Sequence, residues 1–256
     1  MQPAQMLQGK VARGEAAVGL LVTDHLWIDL IEIAAKAGLD YLIIDMEHGA
    51  ASTDLVADVC RVGRQIGFPI LLRPRSNDYA ALRHAIDLGP CGFLLACVES
   101  AAELDVVRDA IYVPPRGRRR PGGPGNRWVP GFGADDWRRT VEDHFLVWPQ
   151  IETRRGLSQR EAIARHELTT ALAVGPYDLS AELGCCGDFQ APELQAALRQ
   201  ILEAARMAGK PGWMIGSDAA GLARDGWNFV CLGEPSWILQ AALRERVAQT
   251  QAAVRG

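Results

Sequence analysis

Two carboxylates follow strand-like apolar segments and are separated by about one strand–helix unit. Glu152 lies within Trp-Pro-Gln-Ile-Glu-Thr, and Asp178 lies within Val-Gly-Pro-Tyr-Asp-Leu-Ser. Because the carboxyl ends of successive parallel strands face one shared space, we expect both side chains at the same edge of a sheet. Two carboxylates that leave room for water or substrate suit a hard divalent cation. The spacing therefore predicts a metal site.

A second group of polar residues ends another apolar run, in the order Asp45, Met46, Glu47, His48 and Gly49. A histidine beside a carboxylate makes a proton shuttle, because the carboxylate fixes the tautomer and raises the imidazole pKa. A purely structural Asp–His pair is an equally good interpretation. Strand alternation separates His48 from the two carboxylates, although a turn at Gly49 is able to re-aim them.

Arg73 and Gln150 also lie at strand ends. A buried arginine needs an anionic partner, so we expect either a substrate oxyanion or a structural carboxylate beside Arg73. Gln150 precedes Glu152 by two residues, shares its face, and is either a ligand for a substrate oxygen or a satisfied core amide. The backbone amides around Tyr177 either hold a substrate carboxylate or form an ordinary helix start.

The composition of the chain indicates its domain count, the partners its charge would attract, and its redox environment. The chain has 256 residues, 48% of them hydrophobic, which predicts one domain, residues 1–256. Its net charge of −4 gives no general attraction for nucleic acid or membranes, and the run Arg118-Arg119-Arg120 is better explained as a solvated or subunit-contacting face. The six cysteines form no Cys-x-x-Cys pair, and residues 1–14 lack the apolar core of a secretory signal, so we expect a reduced cytoplasmic protein.

Short apolar runs alternate with longer amphipathic ones, the pattern of repeated βα units around a parallel sheet. The predicted strands are 17–22, 41–46, 70–73, 92–98, 145–151, 170–174, 212–215 and 229–232. The predicted helices between them are 28–37, 53–65, 78–88, 101–111, 158–165, 193–208 and 219–224. Eight such units predict an α/β fold of the (β/α)₈ TIM-barrel type.

Two further segments complete the interpretation of the sequence. Residues 114–136 form one long Pro-, Gly- and Arg-rich stretch, which we interpret as a lid or an interface segment. The last predicted helix, 237–254, has one apolar and one charged side, so its apolar side is expected to be buried.

These residues, taken together in their order and spacing, resemble the HpcH/HpaI aldolase family of metal-dependent class II pyruvate aldolases over nearly the whole chain. The motifs that carry the resemblance are Asp45-Met-Glu-His48, Arg73-Pro74 with Asn77-Asp78, Pro114-Pro115, Gln150-Ile-Glu152-Thr153 and Gly175-Pro-Tyr-Asp178-Leu-Ser180-Ala-Glu-Leu-Gly184. The resemblance implies reversible cleavage of a 4-hydroxy-2-oxo acid to pyruvate and an aldehyde through a metal-bound pyruvate enolate.

The resemblance also implies roles for the residues. Glu152 and Asp178 would bind Mg²⁺, or alternatively Mn²⁺ or Co²⁺, and Arg73 would stabilise the enolate oxygen. His48, oriented by Asp45, would relay the proton of the substrate hydroxyl. The remaining implied roles are substrate binding by Gln150 and by the amides around Tyr177, and completion of the relay by Asp87 of a neighbouring subunit. The implied assembly is a homo-hexamer, a trimer of dimers, in which the last helix is exchanged between subunits.

The chain departs from the family pattern in three places. Tyr177 stands where a small alanine is usual, Met46 replaces a usual glycine, and Arg120 replaces a glycine after the Pro-Pro motif. The phenol beside the metal ligand is expected to change which acceptor fits. Alternative functions are therefore an oxaloacetate decarboxylase or a C–C bond-forming enzyme that uses the same enolate on an unusual acceptor. A citrate-lyase-like CoA thioester enzyme and a non-catalytic barrel are less well supported.

Overall fold

Eight parallel strands close into one barrel in chain order, as the sequence predicts. The computed structural model describes residues 1–120, 127–129 and 134–255. Each strand pairs with the next, and the last pairs with the first. The strands are β1 (Ala17–Val22), β2 (Tyr41–Asp45), β3 (Ile70–Arg73), β4 (Gly92–Leu95), β5 (Leu146–Ile151), β6 (Leu172–Val174), β7 (Gly212–Ile215) and β8 (Phe229–Cys231). All are almost completely buried, as expected for a parallel sheet covered by helices.

Helices follow the strands and cover the barrel. They are α1 (Gln2–Ala12), α2 (Leu30–Lys36), α3 (Thr53–Ile66), α4 (Tyr79–Asp87), α5 (Ala101–Ile111), α6 (Ala134–Trp137), α7 (Arg154–Arg165), α8 (Pro176–Leu183), α9 (Pro192–Met207), α10 (Ala219–Asp225) and α11 (Pro235–Arg255). A π-helical turn, Arg138–Glu142, continues α6. Among the described residues, no helix has the length and apolar character that a membrane crossing requires.

Several predicted boundaries differ from the structure for local reasons. The predicted strand 92–98 ends at Leu95, because Cys97 has a left-handed backbone with φ of 52°. The predicted helix 158–165 begins four residues earlier, because the Thr153 hydroxyl accepts a hydrogen bond from Gly156 N–H. The helices α1 and α6 were not predicted.

The register places the polar strand ends side by side. Asp45 of β2 is paired with Arg73 of β3, and Gln150 of β5 is paired with Ala173 of β6. Glu152 follows β5 directly, and Asp178 lies in the first turn of α8, directly after β6. The candidate residues of these strands therefore face one end of the barrel, the end where barrel enzymes carry their sites.

The Pro- and Arg-rich segment lies partly outside the described residues. Its described part runs beside α4, where Arg118 O accepts a hydrogen bond from the Tyr79 hydroxyl and Arg119 pairs with Asp87. The remaining residues, 121–126 and 130–133, lie outside the described residues, so the lid interpretation stays a prediction.

Candidate active site

A buried ion pair anchors one side of the site. Arg73 Nε donates to Asp45 Oδ1 at 2.8 Å, and Arg73 Nη2 donates to Asp45 Oδ2 at 2.5 Å. Burial alone would raise the pKa of Asp45, but the hydrogen bonds from Arg73 and Thr23 and the N–H of Glu47 lower it below its usual range. Asp45 is therefore ionised, and its charge keeps the Arg73 guanidinium in a fixed orientation.

The resemblance implies that the Asp45 carboxylate orients the His48 ring, but Asp45 contacts the backbone of His48 instead. Asp45 Oδ1 accepts from the backbone N–H groups of Glu47 at 2.9 Å and His48 at 3.3 Å. The His48 imidazole is 66% exposed, and its Nε2 lies 3.8 Å from Glu47 Oε2. Asp45 therefore shapes the turn that carries His48, whereas the carboxylate nearest the imidazole ring is that of Glu47. The strand ends at Asp45, so strand alternation does not govern these side chains.

Glu152 is a nearly buried carboxylate with one strong donor. The backbone N–H of Cys97 donates to its Oε2 at 2.6 Å. Burial raises the pKa of Glu152 to about 7; the Cys97 N–H and Arg73 oppose this rise, while the nearby charges of Asp178 and Glu47 add to it. Asp178 and Arg73 therefore lie close enough to Glu152 for their charges to change its pKa.

Gly175 permits the close packing of this region. A Cβ atom at Gly175 would lie 2.0 Å from Glu152 Oε1 and 2.8 Å from Gln150 Nε2. Only glycine therefore allows the backbone before α8 to touch both side chains. Gln150 is buried, and its Oε1 has no hydrogen-bond partner among the described residues.

These residues fit a divalent cation. Burial and the neighbouring carboxylates disfavour the ionised form of Glu152, and a cation beside it would reverse that preference. Within the part of the chain that is described, no group of three His, Cys, Asp or Glu side chains could hold a metal. Two carboxylates with the other positions left to substrate and water suit Mg²⁺, which keeps several non-protein ligands.

Two other residues that were predicted for the site, Tyr177 and Asp87, have different surroundings from the buried Glu152 and Arg73. Tyr177 is 59% exposed, and its ring centroid lies 6.4 Å from that of Phe189 in the segment between α8 and α9. Asp87 ends α4 and pairs with the buried Arg119 at 2.6 Å. Because α4 begins after β3 and ends before β4, Asp87 lies toward the opposite end of the barrel from the site of its own subunit. A role in catalysis therefore requires a neighbouring subunit, as the resemblance implies.

Three residues that contribute to the site were not predicted from the sequence. Cys97 supplies the N–H that holds Glu152, the Thr23 hydroxyl contacts Asp45, and Glu234 contacts that hydroxyl. Thr23 follows β1 and Glu234 follows β8, so their positions just after predicted strands were the available signal. The left-handed backbone of Cys97 had no signal in residue type.

The geometry agrees with the comparisons with known proteins. The profile of the HpcH/HpaI aldolase/citrate lyase family matches residues 27–234. The chain belongs to this family. Its relatives include a hydroxypyruvate/pyruvate aldolase of Pseudomonas aeruginosa, 30% identical over 253 residues, which are 95% of this chain and 91% of that protein. They also include a 4-hydroxy-2-oxo-heptane-1,7-dioate aldolase of Shigella sonnei (strain Ss046), 31% identical over 232 residues, 88% of each chain.

A solved member of the family has the same barrel. The HpcH/HpaI aldolase from Desulfitobacterium hafniense DCB-2 superposes with a TM-score of 0.87 at 26% identity, covering 96% of both chains. Family membership and these relatives make the protein a carbon–carbon lyase of the aldolase type.

Proposed function

We propose that this protein is a divalent-metal-dependent aldolase that reversibly cleaves a 4-hydroxy-2-oxo acid to pyruvate and an aldehyde. The observation that carries the proposal is the buried Glu152, which lies close enough to Asp178 and Arg73 for their charges to interact. The relatives support the same reaction class, since both are named as aldolases of 2-oxo acids.

Glu152 and Asp178 would hold the cation, with Mg²⁺ favoured and Mn²⁺ or Co²⁺ as alternatives. When bound, it would supply Lewis-acid stabilisation of the negative charge that develops on the 2-oxo oxygen. The donor set is all oxygen, which favours hard cations of this kind.

The chain's own residues then perform the proton and charge steps. The His48 imidazole, reachable from solvent and next to Glu47, takes the proton of the C4 hydroxyl. The C3–C4 bond breaks, the aldehyde leaves, and the electron pair of that bond forms the pyruvate enolate. Arg73, fixed by Asp45, places a positive charge beside the developing oxyanion. Water protonates C3 to give pyruvate, and His48 returns its proton to solvent, so the protons balance.

The substrate carboxylate and amide contacts complete the proposal. The N–H groups of Tyr177 and Asp178 open α8 and are free of the helix ladder, so they are able to hold the carboxylate of pyruvate. The Gln150 amide, buried beside Glu152 and Gly175, would support the bound 2-oxo acid.

Pyruvate release tests the proposal. Protein stripped of metal by chelator is incubated with a panel of 4-hydroxy-2-oxo acids, before and after addition of Mg²⁺ or Mn²⁺. We expect pyruvate only after metal addition. No turnover across the panel with metal present, or turnover that the chelator leaves unchanged, would contradict it.

Tyr177 motivates one alternative, an oxaloacetate decarboxylase or C–C bond-forming enzyme with the same enolate chemistry. The exposed Tyr177–Phe189 aromatic pair beside a proposed metal ligand offers a surface for an unusual acceptor. Decarboxylation of oxaloacetate without any retro-aldol activity would favour this alternative, and the reverse pattern would exclude it.

The proposed assembly is a homo-hexamer with α11 exchanged between subunits. Leu239, Leu243 and Val247 of α11 lie one turn apart and are exposed, and a groove of about 570 Å³ lies between this helix and His25. An exposed apolar stripe of this kind favours a protein partner, and a second copy of the chain is the partner we propose.

A further inference from the structure

The hydroxyl of Thr23 lies between two carboxyl groups that the proposed mechanism does not use as bases. Thr23 Oγ1 is 2.9 Å from Asp45 Oδ2 and 3.1 Å from Glu234 Oε1. Thr23 follows β1 and Glu234 follows β8, and these two strands are paired in the barrel. All three residues are buried or half-buried, so water does not freely replace these contacts.

A single hydroxyl cannot donate a full, linear hydrogen bond to both carboxylates. It carries one hydrogen, and an ionised carboxylate only accepts. If Asp45 and Glu234 were both ionised, the Thr23 hydroxyl would donate to one of them. Its oxygen would then lie at hydrogen-bond distance from the other carboxylate with no hydrogen between the two oxygens. Two hydrogen bonds require that one of the carboxyl groups carries a proton and donates it to Thr23 Oγ1.

Asp45 is the ionised partner. Both of its oxygens accept hydrogen bonds from Arg73, and Oδ1 also accepts from the N–H groups of Glu47 and His48. A proton on Asp45 would remove the negative charge that pairs with the buried Arg73. The remaining position for the proton is Glu234.

The surroundings of Glu234 favour its neutral form. Burial raises its pKa and the charges of Asp24 and Asp45 raise it further, whereas Arg73 and a hydrogen bond donated by Thr23 lower it. A hydrogen bond in the opposite direction, from Glu234 to Thr23, stabilises the neutral form instead. Cys231, on the preceding strand, is buried with its thiol pKa raised to about 12, so it adds no charge near neutral pH.

We infer that Glu234 carries a proton and acts as a hydrogen-bond donor that positions Asp45 through Thr23. The chain of contacts runs from Glu234 to Thr23, from Thr23 to Asp45, and from Asp45 to the Arg73 guanidinium. Glu234 is thus a positioning residue for Arg73. Its backbone carbonyl also accepts from Ile238 N–H, which ties the start of α11 to the site. The link of Glu234 to catalysis rests on the proposed function, whereas its protonation state does not.

Infrared difference spectroscopy tests the protonation state without any need for activity. Wild-type protein is compared with E234Q, and with E203Q as a control for an exposed carboxylate on α9. We expect a C=O stretching band of a neutral carboxyl group near neutral pH that E234Q lacks and E203Q retains. The band should shift in T23V, because its hydrogen-bond partner is removed. Glu152, with its pKa raised to about 7, contributes a band of its own, so the criterion is the band that the substitution removes. If E234Q loses no such band relative to the wild type at any pH near neutrality at which both proteins are folded, the inference is overturned.

Kinetics test the positioning role. Ionisation of Glu234 as pH rises through its raised pKa would set its charge against Asp45, so kcat of the wild type should fall over that range. The side-chain amide introduced by E234Q donates an N–H at every pH, so this variant should lack the fall. E234Q should also exceed E234A in kcat by about fivefold, as expected for one hydrogen bond between uncharged groups. T23S should likewise exceed T23V.

The outcomes separate this inference from the proposed function. If E234Q shows the same fall as the wild type, or if T23V equals T23S in kcat at matched folded fraction, the positioning role is wrong. If the protein has no aldolase activity at all, the proposed function fails, and the infrared band still decides where the proton lies.

Discussion

The Asp45–Arg73 pair shows how one contact serves both stability and chemistry. An arginine this deeply buried requires a charged partner, and the partner in turn fixes where the guanidinium points. The same carboxylate also holds the N–H groups of the turn that leads to His48. A change at Asp45 should therefore affect folding as well as turnover.

We predict that D45N lowers the free energy of unfolding at neutral pH by about 3 kcal/mol, because it leaves a buried arginine without its main counter-charge. The pKa of Asp45 is lowered in the folded protein, so its stabilisation is present above the unfolded pKa and is lost as pH falls through the folded pKa. Urea unfolding at a series of pH values measures this. The gap between wild type and D45N should close in acid, and a gap that stays constant would refute the explanation.

One of the two proposed metal ligands, Asp178, has a matched control on the same helix. We predict that E152Q and D178N each weaken Mn²⁺ binding at least about tenfold, since a neutral amide replaces a charged oxygen ligand. Glu182, an exposed carboxylate one turn beyond Asp178 on α8, provides the control E182Q. Titration followed by the electron paramagnetic resonance signal of free Mn²⁺ measures the affinities. Equal affinities for D178N and E182Q would speak against the assignment.

At the level of the elements, the site depends on how each strand ends. The apolar runs predicted all eight strands and their order, because parallel strands buried on both faces have continuous apolar sequences. The prediction for β4 ran three residues too far, since the left-handed Cys97 and the bond from Asn77 Nδ2 to Ala96 O end the strand. Neither feature follows from residue type.

The same limit applies to the side chains within the site. Residue types predicted that carboxylates, an arginine and a histidine gather at the carboxyl ends of the strands, and the structure places Asp45, Arg73 and Glu152 together. The partner of each group depends on backbone N–H groups in the turns, which is why the contacts of His48 were not predicted. The helix α1 was missed, although Pro3 in its first turn and the buried Leu7 are typical of an amphipathic helix.

The turn between β6 and α8 provides a prediction at this scale. G175A should reduce Mn²⁺ affinity and kcat/KM together, because its methyl group would meet Glu152 Oε1 at 2.0 Å and displace that carboxylate. G9A on α1 is the control, since its methyl group would meet only Arg13 Nη1 at 3.7 Å. Both variants are measured by Mn²⁺ titration and pyruvate release. Unchanged metal affinity in folded G175A would show that Glu152 is not held by this turn.

At the level of the whole molecule, two features point beyond one subunit. The apolar stripe of α11 is exposed, and Asp87 lies toward the far end of the barrel from its own site. A single sequence gives the amphipathic pattern of the last helix but not the surface that covers it, because that surface belongs to another chain or another region. Assembly therefore stays a proposal that mutation is able to test.

We predict that L243E reduces the molecular mass of the assembly, because a charge would be buried in the apolar contact of α11. A241E on the same helix, two residues away and so on nearly the opposite side, is the control. Light scattering after size-exclusion chromatography measures the mass. If L243E and A241E both keep the wild-type mass, the stripe of α11 is not a subunit contact.

The central claim is that Glu152 and Asp178 hold a cation that activates a 2-oxo acid. The most direct test is anomalous X-ray scattering from crystals grown with Mn²⁺ and oxalate, which resembles the pyruvate enolate. We predict one strong anomalous peak within coordination distance of both carboxylates, with oxalate bound to the same ion. An ion that binds elsewhere, or no ion between these two side chains at saturating Mn²⁺, would contradict the claim.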